Sequence, residues 1–319
     1  MAEKILDQLN AGSLFDMSGV VAVVTGGGSG IGLMIATTLV SNGATVYIIG
    51  LVQAELDRIA SVYNQAAEKS ECKGRMYGIE GDVSKKSEAK RLADEVGKRT
   101  PYITVLFNNA GVLLGRFKKP TSTSAADFVK AYYDEVPEQA FTDNINVNAI
   151  GPYWLTFTFL PLLEAWKTQN QFGSGGRKFA PQIIMTSSMN GWTKDPATGG
   201  SSFPYIFSKS AIGHATASLA HELIPLGIRV NGIAPGLFVT DMSTPGTIDE
   251  LGVSHNDKKD YTFAFPADQL PVSLGGPANV GGSNKDMGSL ALFLVGNWFV
   301  NGETVLIDGG TMLVHPSSY

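Results

Sequence analysis

The sequence predicts an α/β fold, a single domain built on a doubly wound parallel sheet of seven strands with helices on both faces. Three observations predict it. Short β-branched runs alternate with amphipathic helical stretches along the chain. Runs such as VVAVV, TVYII, QIIMT and TVLI are almost continuously apolar, as parallel strands covered on both faces must be. A glycine cluster, TGGGSGIG at 25–32, stands directly between the first run and the first long helical pattern.

In chain order, residues 1–18 form an amino-terminal extension ahead of a domain at 19–319. The extension carries Glu3, Asp7 and Asp16 and has no basic start before an apolar stretch, so it does not read as a secretory signal peptide. The seven runs are 20–24, 45–49, 75–80, 104–107, 182–186, 229–233 and 304–307, each followed by a turn and then helical periodicity. The most apolar window, 145–166, is interrupted by Asn146, Asn148, Pro152 and Pro161 before it reaches a membrane-spanning length, so it reads as a buried helix. Two stretches have loop composition, 171–179 and 243–285, and the second lies within a predicted substrate loop of about 241–285.

Composition removes several functional classes. With 24 Lys+Arg against 29 Asp+Glu the net charge is −5, and 44% of the 319 residues are hydrophobic, which suits a sizeable core. No basic stripe marks a nucleic-acid face. The lone Cys72 excludes a disulfide framework and fits a reducing, cytoplasmic setting. His214, His221, His255 and His315 lack metal-ligand spacing, so no metal is expected.

The glycine loop carries the first chemistry. Glycines at 26, 30 and 32 let backbone N–H groups approach a pyrophosphate, which a helix amino terminus also attracts through its dipole. The spacing departs from the strict G-x-G-x-x-G fingerprint. Beyond the second strand, where an acid normally holds the adenosine ribose, stand Gly50 and Leu51, and no acid occurs between Gly32 and Glu55. That absence favours NADP(H) over NAD(H), although neither Ser29 nor Leu51 supplies a cation and Arg58 reads as a solvated surface residue. Asp82-Val83 and Asn108-Asn109-Ala110-Gly111 follow the third and fourth strands, at the sheet edge where such folds bind ligands; Asp82 serves equally well as a helix cap. Tyr205 and Lys209, four residues apart on a helix, lie on one face, where the cation can lower the phenol pKa. Thr186-Ser187-Ser188 at the end of the fifth strand offers a hydroxyl to a carbonyl oxygen.

Taken in order, these motifs resemble those of the classical short-chain dehydrogenase/reductase family over about 19–310. The resemblance implies a Rossmann fold and a nicotinamide cofactor held by Gly26, Ser29, Gly30, Ile31 and Gly32, by Gly50 and Leu51, and by Asp82 and Val83. It adds Asn109, Ala110 and Gly111, then Pro235, Gly236, Phe238 and Thr240. It implies a catalytic tetrad of Asn148, Ser188, Tyr205 and Lys209, the last two also touching cofactor. By that resemblance Tyr205 exchanges a proton with the substrate oxygen while hydride passes between nicotinamide and carbon. Lys209 lowers the phenol pKa and holds the nicotinamide ribose, Ser188 polarises the carbonyl, and Asn148 distorts its helix to hold a water.

Ser188 precedes Tyr205 by a longer interval than the resemblance implies, and an insertion within 194–204 accounts for the excess, leaving Ser187 and Ser188 as alternatives. Met189, Trp192, Phe238 and Met242, with Tyr261, Phe263 and Phe265, suit a bulky apolar or aromatic carbonyl or alcohol, or else pack into the core or a subunit interface. The resemblance also implies a homodimer or homotetramer through 152–166 and 208–224, with LVHPSSY at 313–319 available to another interface. Extra length before Met17, at 117–141, at 171–178 and after Thr240 is similar to that of secondary-metabolism members. Two further classes stay open: a non-redox dehydratase, isomerase or cyclase on the same fold, and a cofactor-sensing binding protein.

Overall fold

The computed structural model describes residues 2–169, 179–255 and 281–319. Two short helices, α1 (Ala2–Leu9) and α2 (Ala11–Leu14), precede the sheet and bury no side chain. Met17, the penultimate residue of the predicted extension, is already fully buried in the core. The alternation then runs β1 (Val21–Thr25), α3 (Gly30–Ser41), β2 (Thr45–Gly50), α4 (Gln53–Lys69), β3 (Arg75–Glu80), α5 (Lys86–Arg99) and β4 (Val105–Asn108). It continues through α6 (Ala125–Val129), α7 (Glu138–Ile145), α8 (Gly151–Gln169), β5 (Gln182–Thr186), α9 (Phe203–Glu222), β6 (Arg229–Pro235), α10 (Asn284–Gly296), β7 (Thr304–Ile307) and α11 (Thr311–Val314).

The strands form a parallel seven-stranded sheet in the order β3-β2-β1-β4-β5-β6-β7. Because crossovers are right-handed, reversing direction at β1 puts helices on both faces and opens a crevice at the carboxyl ends of β1 and β4. Side-chain alternation along β1 divides the core accordingly. Ala22 and Val24 pack with α3, α4 and α10, whereas Val21 and Val23 pack with α5, α8 and α9. The seven predicted runs all appear as strands; β1 and β4 sit one residue later than predicted, and β6 continues to Pro235.

The window predicted as one buried helix differs. It is interrupted after α7 by a π-helical turn, Asn146–Ile150, before α8 begins. Pro152 has no N–H to continue the ladder, and Gly151 admits no side chain because the Val83 carbonyl, in the turn after β3, lies against it. Leu155, Phe159 and Leu163 are buried, yet Tyr153 and Phe157 face outward. Among the described residues no helix is long and apolar enough to cross a membrane.

Candidate active site

The carboxyl ends of β1, β4, β5 and β6 meet at one edge of the sheet, and the motif residues gather there. Thr25 stitches the first two motifs together. Its hydroxyl accepts the N–H groups of Asn109 and Ala110 at 2.9 and 3.0 Å and lies 3.3 Å from the Phe107 carbonyl, while Asn109 Nδ2 donates to the Thr25 carbonyl at 3.0 Å. The glycine loop is packed so closely that a Cβ at Gly32 would lie 2.1 Å from the Gly26 carbonyl oxygen, and Gly26 itself sits at φ +65°. Ser29 caps α3 without a side-chain hydrogen bond, leaving the first-turn N–H groups of the helix facing the crevice. Side-chain-free backbone and uncapped donors at a helix amino terminus fit the pyrophosphate of a dinucleotide.

Around this cradle the other predicted cofactor residues are distributed unevenly. Thr240 comes from beyond β6 to pack on the loop, 3.2 Å from where a Gly30 Cβ would stand, and Gly236 packs against Asp308 with no room for a side chain. Gly50 ends β2, and Leu51 is 70% exposed beside it. Asp82 accepts the N–H and hydroxyl of Ser84 and pairs with Lys85 at 2.9 Å; the Ser84 hydroxyl above all holds its carboxyl below the usual range. It therefore closes a local turn instead of capping α5, whose N-cap is Lys85. Arg58 is not simply solvated: it pairs with Glu55 at 2.8 Å and donates to the Glu250 carbonyl. Tyr63 donates to the Leu251 carbonyl at 3.0 Å, and Gly252 packs on Leu33, Ile59 and the Gly28 carbonyl. The first part of the predicted substrate loop is thus strapped across α4 and the glycine loop.

The four predicted catalytic side chains are brought together. Tyr205 and Lys209 lie one turn apart in α9, both almost fully buried, with Lys209 Nζ 5.8 Å from the centre of the Tyr205 ring. Lys209 donates to the Thr186 carbonyl at 2.8 Å, and burial brings its pKa down to about 8. Burial raises the Tyr205 phenol above its ordinary value of 10.0, and the Ser188 hydroxyl beside it pulls the other way. Desolvation dominates the phenol, and the Ser188 hydroxyl, rather than the Lys209 that the resemblance implies, is what opposes it. Asn148 sits in the π-helical turn, accepting the Val112 N–H at 2.8 Å and donating to the Val112 carbonyl and Ser208 Oγ, each at 2.9 Å. It holds the backbone just past Gly111.

The serines differ in their commitments. Ser187 donates its hydroxyl to the Lys209 carbonyl at 2.9 Å, locking β5 to α9. Ser188 Oγ accepts from both the backbone and side-chain N–H groups of Asn190, each at 3.2 Å, and its proton has the Pro235 carbonyl as a distant 3.4 Å acceptor. Ser188 is the one with a proton available to a ligand.

Among the predicted substrate residues, Met189 is buried next to Ser188, Trp192 packs on Tyr319 at 4.9 Å, and Met242 is partly exposed. Phe238 takes the second alternative, packing into the core. It is 4% exposed inside the core with α3 and α10, its backbone bridging Gly282, because its ring occupies the space that the side-chain-free Gly282 leaves. Tyr261, Phe263 and Phe265 lie outside the described residues. Sequence reasoning missed Asn144 and Asn190. Asn144 grips the backbone of Leu114 as Asn148 grips Val112, and the four-residue spacing of the two asparagines was the available signal.

A parallel doubly wound sheet with this cradle and this Tyr-Lys pair defines a nicotinamide-dependent dehydrogenase or reductase acting on hydroxyl or carbonyl groups. The comparisons agree: residues 20–250 match the short chain dehydrogenase family model, and the chain belongs to that family. It is 32% identical over 323 residues to the short-chain dehydrogenase/reductase PhomF of Diaporthe leptostromiformis, covering 100% of both chains. It is also 32% identical to the short-chain dehydrogenase/reductase VdtF of Byssochlamys spectabilis, over 98% of each. Among solved structures it is similar to the Pseudomonas aeruginosa RhlG/NADP active-site complex, at 25% identity and TM-score 0.67, covering 93% of this chain and 98% of that one.

Proposed function

We propose that the protein is an NADP(H)-dependent oxidoreductase of the cytoplasm that interconverts a carbonyl and a secondary alcohol on a bulky apolar or aromatic substrate in secondary metabolism. The observation that carries the reading is the convergence of Ser188, Tyr205 and Lys209 at the end of β5, with Asn148 bracing the backbone beside them. A bound nicotinamide dinucleotide supplies or accepts the hydride. Tyr205 holds the proton exchanged with the substrate oxygen, in a buried site where that proton is not lost to water. Ser188 offers its proton to the same oxygen and stabilises the developing alkoxide. Lys209 is charged below pH about 8 and stands 5.8 Å from the Tyr205 ring, and in this reading it also holds the nicotinamide ribose.

Several observations support the finer points. No acid follows β2 in the sequence before Glu55, although Glu80 of β3 brings its carboxylate to the Gln53 N–H beside this corner, and the RhlG structure is a complex with NADP. Partly exposed Met242, with Trp192 and buried Met189 after Ser188, supports a bulky apolar partner over a small sugar. The domain is read as 19–319, with 1–18 an extension and about 241–285 the substrate loop. Outward Tyr153 and Phe157 on α8 and Phe207 on α9 support a homodimer or homotetramer.

The test pairs NADPH and NADH titrations followed by fluorescence with hydride-transfer assays on bulky ketones, using wild type and Tyr205→Phe. NADPH is expected to bind more tightly, and Tyr205→Phe to lose about 100-fold or more in turnover while binding NADPH normally. Preferential NADH binding would overturn the cofactor assignment, and undiminished turnover in Tyr205→Phe would overturn the role of the phenol.

A further inference from the structure

Residues 315–319 run back to the segment that follows Ser188. Thr193 and Ser317 form an antiparallel bridge, the Lys194 N–H donates to the Pro316 carbonyl at 2.7 Å, and the Ser318 N–H donates to the Trp192 carbonyl at 2.8 Å. The Tyr319 ring lies 4.9 Å from that of Trp192, and His315 Nδ1 is 3.7 Å from Asp195 Oδ2. This pairing continues inward through hydroxyls. Thr193 Oγ1 and Thr198 Oγ1 are 2.8 Å apart, and Thr198 Oγ1 lies 3.1 Å from Asn190 Oδ1. Asn190 is 7% exposed and places two N–H groups on Ser188 Oγ.

A hydroxyl that accepts two hydrogen bonds has its single proton left to donate, and the directions of its lone pairs fix where that proton points. Among the described residues its backbone acceptor is the Pro235 carbonyl, at a length where the bond is weak. A substrate oxygen or the Tyr205 phenol competes for the proton easily. Side chains with such a task must themselves be held, and the 192–198 turn, pinned from outside by 315–319, meets the Asn190 amide oxygen through Thr198, whose proton is shared between Asn190 Oδ1 at 3.1 Å and the Asp195 carbonyl at 2.8 Å.

We propose that Asn190 is a positioning residue for the Ser188 hydroxyl, and that the segment at 315–319 keeps it in place through the 192–198 turn. This rests on the reading of Ser188 as the group that orients the carbonyl. It makes residues 315–319 a determinant of chemistry at the end of β5.

The experiment compares wild type, Asn190→Ala, Thr198→Val and protein lacking residues 315–319. One readout needs no substrate: titration of the Tyr205 phenol by 13C-tyrosine NMR, with its signal identified by its loss in Tyr205→Phe. The others are kcat, KM and the NADPH dissociation constant. Asn190→Ala is expected to move the phenol titration to higher pH and to lower kcat about tenfold, with NADPH binding within about twofold of wild type. Thr198→Val, which preserves shape, shifts both in the same direction by less. Removing 315–319 does likewise and adds nothing to Asn190→Ala. Unchanged phenol titration and kcat in both Asn190→Ala and Thr198→Val would overturn the role of Asn190, even if Asn190→Ala folded poorly. Full additivity of the 315–319 deletion with Asn190→Ala would overturn the link to the segment. Wild-type turnover in Tyr205→Phe would instead sink the functional reading, and the phenol titration would still judge the positioning.

Discussion

Lys209 carries its charge into a site where only 3% of the residue remains exposed, and its ammonium is met by the Thr186 carbonyl. A carbonyl dipole compensates poorly for lost hydration, which is why its pKa falls from 10.5 to about 8. The sign of the consequence follows from proton counts. Below pH about 8 both folded and unfolded chains hold the proton, and the full burial penalty is present. Between about 8 and 10.5 the unfolded chain binds more protons than the folded one, so stability attributable to this group rises with pH. Lys209→Met, which keeps the length and removes the charge, is expected to be more stable than wild type at pH 7 by up to about 3 kcal/mol. Denaturant melts should show that gap shrinking as pH is raised through the window; a gap independent of pH would mean that the charge is compensated.

At the start of α3 the constraint is steric. The turn from β1 into the helix brings the Gly26 carbonyl and the Asn109 amide against Gly32, and neither belongs to a flexible tip that can swing aside, since Asn109 is itself bonded to Thr25. Gly32→Ala puts a methyl 2.1 Å from the carbonyl oxygen, so the loop must open. Calorimetry is expected to show NADPH affinity reduced more than tenfold together with a lower melting temperature. Wild-type affinity would show that the loop tolerates the displacement and that its tight packing is not what shapes the phosphate cradle.

The outer surface of the molecule carries the remaining prediction. Tyr153 and Phe157, four residues apart on α8, form one exposed ring pair at 4.9 Å, and Phe207 of α9 packs on Phe141 while more than half exposed. Exposed aromatic surface on adjacent long helices is better accommodated between subunits than in water. Light scattering is expected to report a dimer or tetramer for wild type and a smaller species for a Phe157→Glu, Phe207→Glu double variant. A monomeric wild type would leave the aromatic surface to another partner.

How much of this was legible in the chain follows from the range of the forces involved. Strands are announced by continuous apolar runs, the cradle by glycines between a strand and a helix, and the Tyr205-Lys209 pair by helical spacing, because each of these depends on residues within one turn or one strand of each other. The boundaries moved by one or two residues where pairing with neighbours extended or shifted a strand, as at Pro235 opposite Ile307. Other features had no local signature. The choice of Ser188 over Ser187 as the available hydroxyl depends on Lys209 and Asn190, the engagement of Arg58 depends on Glu250, and the placement of Phe238 depends on the space beside Gly282. The anchoring of Trp192 depends on residues more than 120 positions away, Ser318 among them. Short-range sterics and periodicity are written into neighbouring residues, whereas which polar group is spent on structure and which is left for chemistry is settled when distant segments compete for the same donors and acceptors.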